Sequence, residues 1–204
     1  MYIIIIQKPF FWGIVIHMKK IYVFAAVLSA LALLQNCKKD VVTATTFSNK
    51  TLFASVNDTV WTADTVRASV TYNSAAKTKI FSCSAVGTNK KINLLITQNK
   101  AGNTSGFPLG TFNVDSTSNV VLSYYTLQRN TSGGLALAPQ GTVHPGSGAI
   151  NISAIDSVKK QITGTFSFVS YKNFYDNQGN ITAVNTAVIT AGAFNNLPYS
   201  FVSN

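Results

Sequence analysis

Short runs rich in Val, Ile, Thr, Tyr and Phe follow one another from residue 51 onwards, with turn residues between them. These residue types favour β-strands, and none of the runs shows the sustained 3.6-residue period of an amphipathic helix. About ten such runs in roughly 150 residues predict an all-β fold. We expect residues 51–204 to form a single domain, either an antiparallel β-sandwich of jelly-roll type or a barrel.

Turn residues set the expected boundaries of several strands. Asn57 and Asp58 separate two alternating runs, which predicts a hairpin. Residues 156–160 and 177–180 predict two further turns between apolar runs. Residues 98–106 and 129–148 are expected to be long loops. The second is rich in Gly and Pro, and loops of that length are often binding elements.

The N-terminal part of the chain has a different pattern. Met18-Lys19-Lys20 precedes an uncharged run from Ile21 to Leu34. A basic segment followed by a short apolar run is typical of a signal peptide, and the run is shorter than the ~20 residues that a transmembrane helix needs. We therefore interpret residues 18–36 as a signal peptide. Residues 1–17 are interpreted as a mis-called start, with translation beginning at Met18.

The apolar run leads to "LLQNCKKD", in which Cys37 follows Leu34-Gln35-Asn36. This segment resembles a lipobox, whose cysteine thiol takes a diacylglycerol and becomes the first mature residue. Asn36 departs from the usual Gly, Ala or Ser, and such a residue resembles the looser lipoboxes of the Bacteroidota. A buried or disulfide-bonded Cys37 is the alternative, and Cys83 would then be its partner. Cys83 lies in an expected strand, and we interpret it as a buried, small apolar residue.

A lipidated Cys37 predicts that membrane lipid is a partner of this protein, because each buried methylene contributes about 0.8 kcal/mol. Residues 37–50 are expected to form the lipidated cysteine and a Thr-rich tether that reaches at most about 43 Å when extended. The expected location is the outer membrane. The sequence leaves open whether the domain lies on the periplasmic or the cell-surface face.

The basic residues argue against a nucleic-acid partner. The chain has 16 Lys and Arg against six acidic residues. Loss of Lys8, Lys19 and Lys20 with the signal peptide leaves 13 against six, a net charge of +7. These residues are scattered in short pairs, whereas a nucleic-acid-binding face clusters them in a patch or stripe.

Several motifs carry a resemblance to a known family. Phe53, Ala54, Val56, Asn57, Trp61 and Ala63 form an "FAxVNxxxWxA" opening, and "GAINIS", "ITGTFSF" and "ITAGAFNNLPY" follow later. Together they resemble a family of small Bacteroidota lipoproteins that carry a domain of unknown function. The resemblance implies an envelope location and a β fold, and it implies no activity.

Few residues suggest catalysis. All six acidic residues are Asp, most lie at expected turns, and His144 is the only histidine after the signal peptide. The chain has no G-x-S-x-G nucleophile motif and no cluster of metal-ligating residues. We therefore expect no enzyme activity, no cofactor and no metal site.

Aromatic residues are the stronger candidates for binding, because Trp and Tyr combine apolar area with a polar group. We select Trp61, Tyr124, Tyr125 and Tyr175 as candidate ligand contacts, although each could instead belong to the core. The sequence thus predicts a non-catalytic binding module for a glycan, a peptide or an envelope protein. The alternatives are a structural envelope component and, less favoured, a hydrolase.

Four Asp residues precede a hydroxyl residue in a recurring pattern. Asp-Ser/Thr followed by an apolar residue or Thr resembles the O-glycosylation sequence of exported Bacteroidota proteins. The candidate acceptors are Thr59, Thr65, Ser116 and Ser157. The alternative is that Asp-Ser/Thr simply begins turns.

Overall fold

The computed structural model describes residues 51–204, and these form an all-β domain of twelve strands with no helix. The predicted signal peptide, Cys37, the predicted tether and the predicted start at Met18 all lie outside the described residues. The strands are β1 Leu52–Val56, β2 Thr59–Thr62, β3 Thr65–Asn73, β4 Thr78–Gly87, β5 Lys90–Gln98, β6 Gly110–Asn113, β7 Val120–Arg129, β8 Leu135–Pro139, β9 Thr142–Asp156, β10 Gln161–Tyr175, β11 Ile181–Pro198 and β12 Ser200–Ser203.

The strands form two six-stranded sheets. Sheet A has the order β2-β1-β11-β10-β9-β6, and sheet B has the order β12-β3-β4-β5-β7-β8. The sheets pack face to face with the core between them, so the sandwich prediction is confirmed and the barrel is excluded. Neighbouring strands are antiparallel except for β12, which pairs with β3 in parallel.

The predicted hairpins are confirmed. Asn57 and Asp58 both have positive φ, 48° and 60°, as a two-residue type I′ turn requires. The turn of residues 157–160 joins β9 to β10, and the Asp156 carboxylate accepts the backbone N–H groups of Val158 and Lys159. Side-chain caps of this kind explain why Asp is favoured at the first position of a turn.

The prediction of a long loop at residues 129–148 is wrong, because most of this segment is strand. β8 occupies its middle and pairs with β7, while β9 begins at Thr142. Pro139 ends an edge strand, where the missing N–H is tolerated. Residues 144–147 bulge out of the ladder, since Ser170 pairs with Val143 and Phe168 with Gly148.

The core contains the inward-facing residues of both sheets. Phe194 is fully buried, and its ring centroid lies 6.0 Å from that of Phe81 and 6.4 Å from that of Phe166. Cys83 is 2% exposed, and burial raises the pKa of its thiol to about 12. This thiol is therefore an inert core group, as the sequence indicated.

The loop of residues 99–109 connects sheet B to sheet A and is tied down by two buried side chains. The Lys79 ammonium, on a side chain that is 4% exposed, donates to Thr104 Oγ1 at 2.9 Å and to the Gly106 carbonyl at 2.8 Å. The Tyr199 hydroxyl donates to the Ser105 carbonyl at 2.7 Å. The loop therefore has a defined conformation despite its length.

β10 and β11 continue past the sandwich as a two-stranded ribbon, here called the arm (residues 172–185). β10 pairs with β9 only as far as Tyr171, and the β1 ladder on β11 ends at Ile189. Within residues 51–204 the arm strands pair only with each other, from Lys172–Asn185 to Tyr175–Ile181. The large apolar side chains of the arm are 38–60% exposed, so within the part of the chain that the structure describes no second sheet covers the arm.

Candidate binding groove

The outer face of sheet B carries rows of polar side chains across its central strands. Cys83 and Ala85 point into the core, so Ser82 and Ser84 of the same strand point outward, by the two-residue period of a strand. Ser84 pairs with Arg67 on β3 and with Asn93 on β5. These three residues form one continuous polar row across the sheet.

A neighbouring row adds further hydroxyl groups. Ser69 pairs with Ser82 on one side and with Ser200 on the other, and the Ser69 and Ser82 hydroxyl oxygens lie 2.9 Å apart. The two rows line a shallow, open cavity of about 410 Å³, which we call the groove. Its polar lining residues are Arg67, Ser69, Ser82, Ser84, Lys91, Asn93 and Ser200.

The groove carries positive charge. Arg67 and Lys91 line it, and no Asp or Glu is among its lining residues. Their backbones are separated by two strand spacings and one two-residue step, which together give roughly 12 Å. A bound group that carries a carboxylate or sulfate would find a cation on either side.

Asn93 supplies an acceptor that no protein donor satisfies. Its Oδ1 atom is buried and has no hydrogen-bond partner within residues 51–204. A buried acceptor without a donor costs about 1–3 kcal/mol, and rotation of the Asn93 side chain towards the groove would let a ligand hydroxyl group donate to this oxygen and recover that loss. Asn93 lies at the β5 end of the polar row, next to Ser84.

Tyr125 lies next to the groove, beside its lining residue Lys91. It pairs directly with Lys91, whose ammonium lies 5.2 Å from the centroid of the tyrosine ring. A cation over an aromatic face is an attractive contact, and here it holds the half-buried ring at the border of the groove.

Trp61 and Tyr124 are not available to a ligand, which corrects two of the selections. Both are 5% exposed and belong to the core cluster. Trp61 packs against Gly87, where an added Cβ would lie 2.9 Å from the indole nitrogen. Tyr124 alternates with Tyr125 and so faces inward; burial raises the pKa of its hydroxyl group.

Tyr175 lies far along the arm and not at the groove. It is 60% exposed, pairs with Ile181 and accepts a bond from the Asn173 amide at 3.3 Å. His144 stacks on Tyr171 at the base of the arm, with ring centroids 4.8 Å apart. Tyr125 and Tyr175 therefore lie on two separate surfaces.

Two acidic side chains, Asp115 and Asp176, have lowered pKa values. Hydrogen bonds from Thr117 lower the pKa of Asp115, and those from Asn180 lower the pKa of Asp176. Both carboxylates are engaged in turns. The described residues contain no group of three or more His, Cys, Asp or Glu that could hold a metal ion. They also contain no helix long and apolar enough to cross a membrane.

The four candidate glycosylation acceptors Thr59, Thr65, Ser116 and Ser157 are all exposed. Two of the preceding aspartates, Asp115 and Asp156, accept backbone N–H groups within their own turns. Both the modification and the simple turn are therefore compatible with the geometry.

Comparison with known proteins identifies the family of this chain. A family model described as a domain of unknown function (DUF6252) matches residues 48–198. The chain belongs to this family. No curated protein and no solved structure matches the chain. The match runs from before β1 to the end of β11 and so includes β3, β4 and β5, which form most of the groove.

Proposed function

We propose that this protein is a lipid-anchored envelope protein whose domain is a non-catalytic binding module, and that the groove binds an acidic glycan. The observation that carries the proposal is the groove itself, with two cations, a row of hydroxyl groups and an unsatisfied Asn93 oxygen. The favoured ligand class is a polysaccharide with carboxylate or sulfate groups.

The chemistry of the groove favours a glycan over a peptide. Serine hydroxyl and amide groups exchange hydrogen bonds with sugar hydroxyls, and guanidinium groups bind carboxylates through two parallel bonds. Tyr125 offers an aromatic border with a polar tip, which suits the mixed surface of a sugar ring. A peptide strand would instead need an exposed sheet edge, and β3, β4 and β5 are central strands.

The test measures binding of the acylated full chain, in detergent, to a polyuronate and to a neutral glucan of matched length. We expect binding to the polyuronate alone. Arg67→Gln and Lys91→Gln should each weaken it at least tenfold, because a bond to a charged group contributes about 1.5–3 kcal/mol. Lys90→Gln, one residue away and outside the groove lining, is the matched control and should bind like the wild type.

The outcomes separate the alternative functions. Loss of binding in Tyr175→Ala with full binding in Arg67→Gln would move the site to the arm. Binding to acidic peptides but to no glycan would show that the ligand is a peptide and not an acidic glycan. Release of shorter products from the polyuronate would favour the hydrolase, and absence of any ligand on a glycan array would favour a structural component.

The anchor is the second part of the proposal. It is supported by the Lys19-Lys20 and Ile21–Leu34 pattern before Cys37, and by the resemblance to Bacteroidota lipoproteins. We propose acylation of Cys37 and attachment to the outer membrane. Mass spectrometry of protein from native membranes should find a diacylglyceryl cysteine at position 37 and no peptide from residues 1–17. Cys37→Ala should leave the membrane fraction; an unmodified Cys37 in native protein would contradict the anchor.

Glycosylation of Thr59, Thr65, Ser116 and Ser157 is a further proposal, supported by their exposure. Intact mass of the native protein should exceed that of the acylated chain by whole sugar units. Asp64→Asn should remove the mass of the glycan on Thr65, because the acceptor sequence needs the aspartate. A native mass equal to that of the acylated chain would contradict this modification.

A further inference from the structure

Exposed lysines gather at one end of the sandwich, which we call the basic end. It consists of the turns at residues 73–77 and 157–160 and the loop at residues 99–109. Lys77, Lys100, Lys159 and Lys160 are exposed there, and the buried Lys79 lies beneath them. Asp156 makes a 3.9 Å ion pair with Lys159.

Hydrogen bonds join these three segments into one surface. The Ala101 N–H donates to the Lys77 carbonyl at 2.8 Å, and the Ser105 hydroxyl donates to the Ser157 carbonyl at 3.2 Å. The Tyr199 N–H donates to the Lys160 carbonyl at 3.0 Å. Lys77 and Lys160 are therefore linked through a short stretch of one loop.

Three of these lysines occupy backbone positions that disfavour them. Lys77, Lys100 and Lys160 have φ of 51°, 54° and 54°. In this left-handed region Gly is relaxed, Asn and Asp are tolerated and other side chains cost roughly 1–2 kcal/mol. Local turn chemistry therefore does not explain why lysine occupies these positions. What the three lysines share is their location, which concentrates positive charge at one end of the sandwich.

The first described residue enters the domain at the same end. The Thr51 carbonyl accepts the Asn195 N–H at 3.1 Å, and three residues further along β11 Pro198 pairs with Gln161, beside Lys160. The distance along the strand is about 10 Å. The described chain therefore begins at the basic end and not at the arm.

We infer that the basic end is a docking surface for anionic phospholipid headgroups, which holds the domain upright on the membrane with the arm pointing away. The inference rests on the proposed anchor at Cys37. A tether of about 43 Å alone would leave the domain free to tumble. A basic patch beside an acyl anchor also attracts anionic headgroups. Each lysine near the surface raises the equilibrium constant for docking roughly fivefold.

The experiment places a fluorophore at either end of the acylated full chain, reconstituted in vesicles that carry a quencher on the headgroups. Ala76→Cys labels the basic end and Gln178→Cys labels the arm; Cys37 is blocked by acylation and Cys83 is buried. In vesicles of phosphatidylcholine with phosphatidylglycerol, we expect quenching at position 76 to be severalfold stronger than at position 178. High salt or phosphatidylcholine alone should equalise the two positions.

The triple variant Lys77→Gln/Lys100→Gln/Lys160→Gln should lower the equilibrium constant for docking about a hundredfold, so that quenching at position 76 falls towards that at position 178. Lys90→Gln/Arg129→Gln/Lys172→Gln removes the same charge elsewhere and should dock like the wild type.

Equal quenching at both ends in an acylated protein would overturn the inference and leave the anchor intact. Strong quenching at position 76 that is insensitive to phosphatidylglycerol and salt would also overturn it. Absence of the acyl group would overturn both proposals.

Discussion

β10 and β11 pass through two environments, and the difference between the two halves shows what makes a strand stable. In the sandwich half, Phe166, Phe168, Ile189 and Phe194 are at most 3% exposed. In the arm half, Phe174, Tyr175, Ile181 and Val184 are 38–60% exposed. Both halves have the same kind of sequence and the same antiparallel ladder.

The opposing sheet accounts for the contrast. Sheet B covers the sandwich half, whereas the arm extends beyond it as a two-stranded ribbon, which is marginally stable by itself. The arm should therefore open locally at low free energy while the sandwich half opens only with global unfolding.

The largest difference is expected between two phenylalanines. Phe194→Ala removes a ring that is fully buried against Phe81 and Phe166 and should lower the free energy of unfolding by about 3–5 kcal/mol. Phe174→Ala removes an arm ring and should change it by less than about 0.5 kcal/mol. Urea denaturation measures both, and a similar loss in the two variants would mean that the arm belongs to the folded core.

Two glycines give the next comparison. An added Cβ at Gly164 would lie 2.2 Å from the Asn151 carbonyl oxygen and 2.5 Å from Phe194 Cζ, so Gly164→Ala should cost about 2–3 kcal/mol globally. Gly179, in the arm turn, has φ of 85° and open space around it. Gly179→Ala should cost about 1 kcal/mol of backbone strain, visible as faster amide exchange in the arm with an unchanged urea midpoint. A shifted midpoint for Gly179→Ala would refute local opening.

Two lysines test the effect of pH. Burial lowers the pKa of Lys79 below 10.5, so in the pH range between the two values the unfolded state binds more protons than the folded state. The wild type should therefore gain stability as pH rises through the lowered pKa towards 10.5, and Lys79→Met should lack this gain. Lys172→Met, on the arm, should show the wild-type pH slope. Parallel slopes in all three proteins would show that the Lys79 ammonium is solvated.

The smallest effect is expected at Asp176, which caps the arm turn by accepting the N–H groups of Gln178 and Asn180 at 2.9 and 2.8 Å. These bonds lower its pKa, so its contribution is present above the ordinary aspartate pKa and is lost as pH falls through the lowered value. Asp176→Ala should speed exchange of these two amides without moving the urea midpoint. Unchanged exchange would show that the cap does not hold the turn.

The strand pattern was predictable because side-chain alternation and turn residues are local. The Asn57-Asp58 hairpin, the turn after Asp156 and the strands around Cys83 all follow from neighbouring residues. β8 and the start of β9 were missed, because Pro139, Gly141 and Gly146 read as loop residues and become strand only through pairing with β7 and β10. β12 was missed for the same reason, since its four residues depend on β3.

The candidate site was predictable only in part. Aromatic type selected Tyr125 at the groove but also Trp61 and Tyr124, since the sequence does not show which face of a strand is covered. Arg67, Ser84 and Asn93 gave no signal, because they are far apart in the chain and meet only through the register of β3, β4 and β5.

The sequence by itself determined the β composition of this protein, the hairpin turns and the burial of Cys83, because these depend on residue type and short-range geometry. Only the tertiary structure decided which strands pair, which half of β10 and β11 is covered, and which polar residues share the groove. Strand order and register depend on contacts between distant residues, and a single strand presents similar side chains whether or not another sheet covers it.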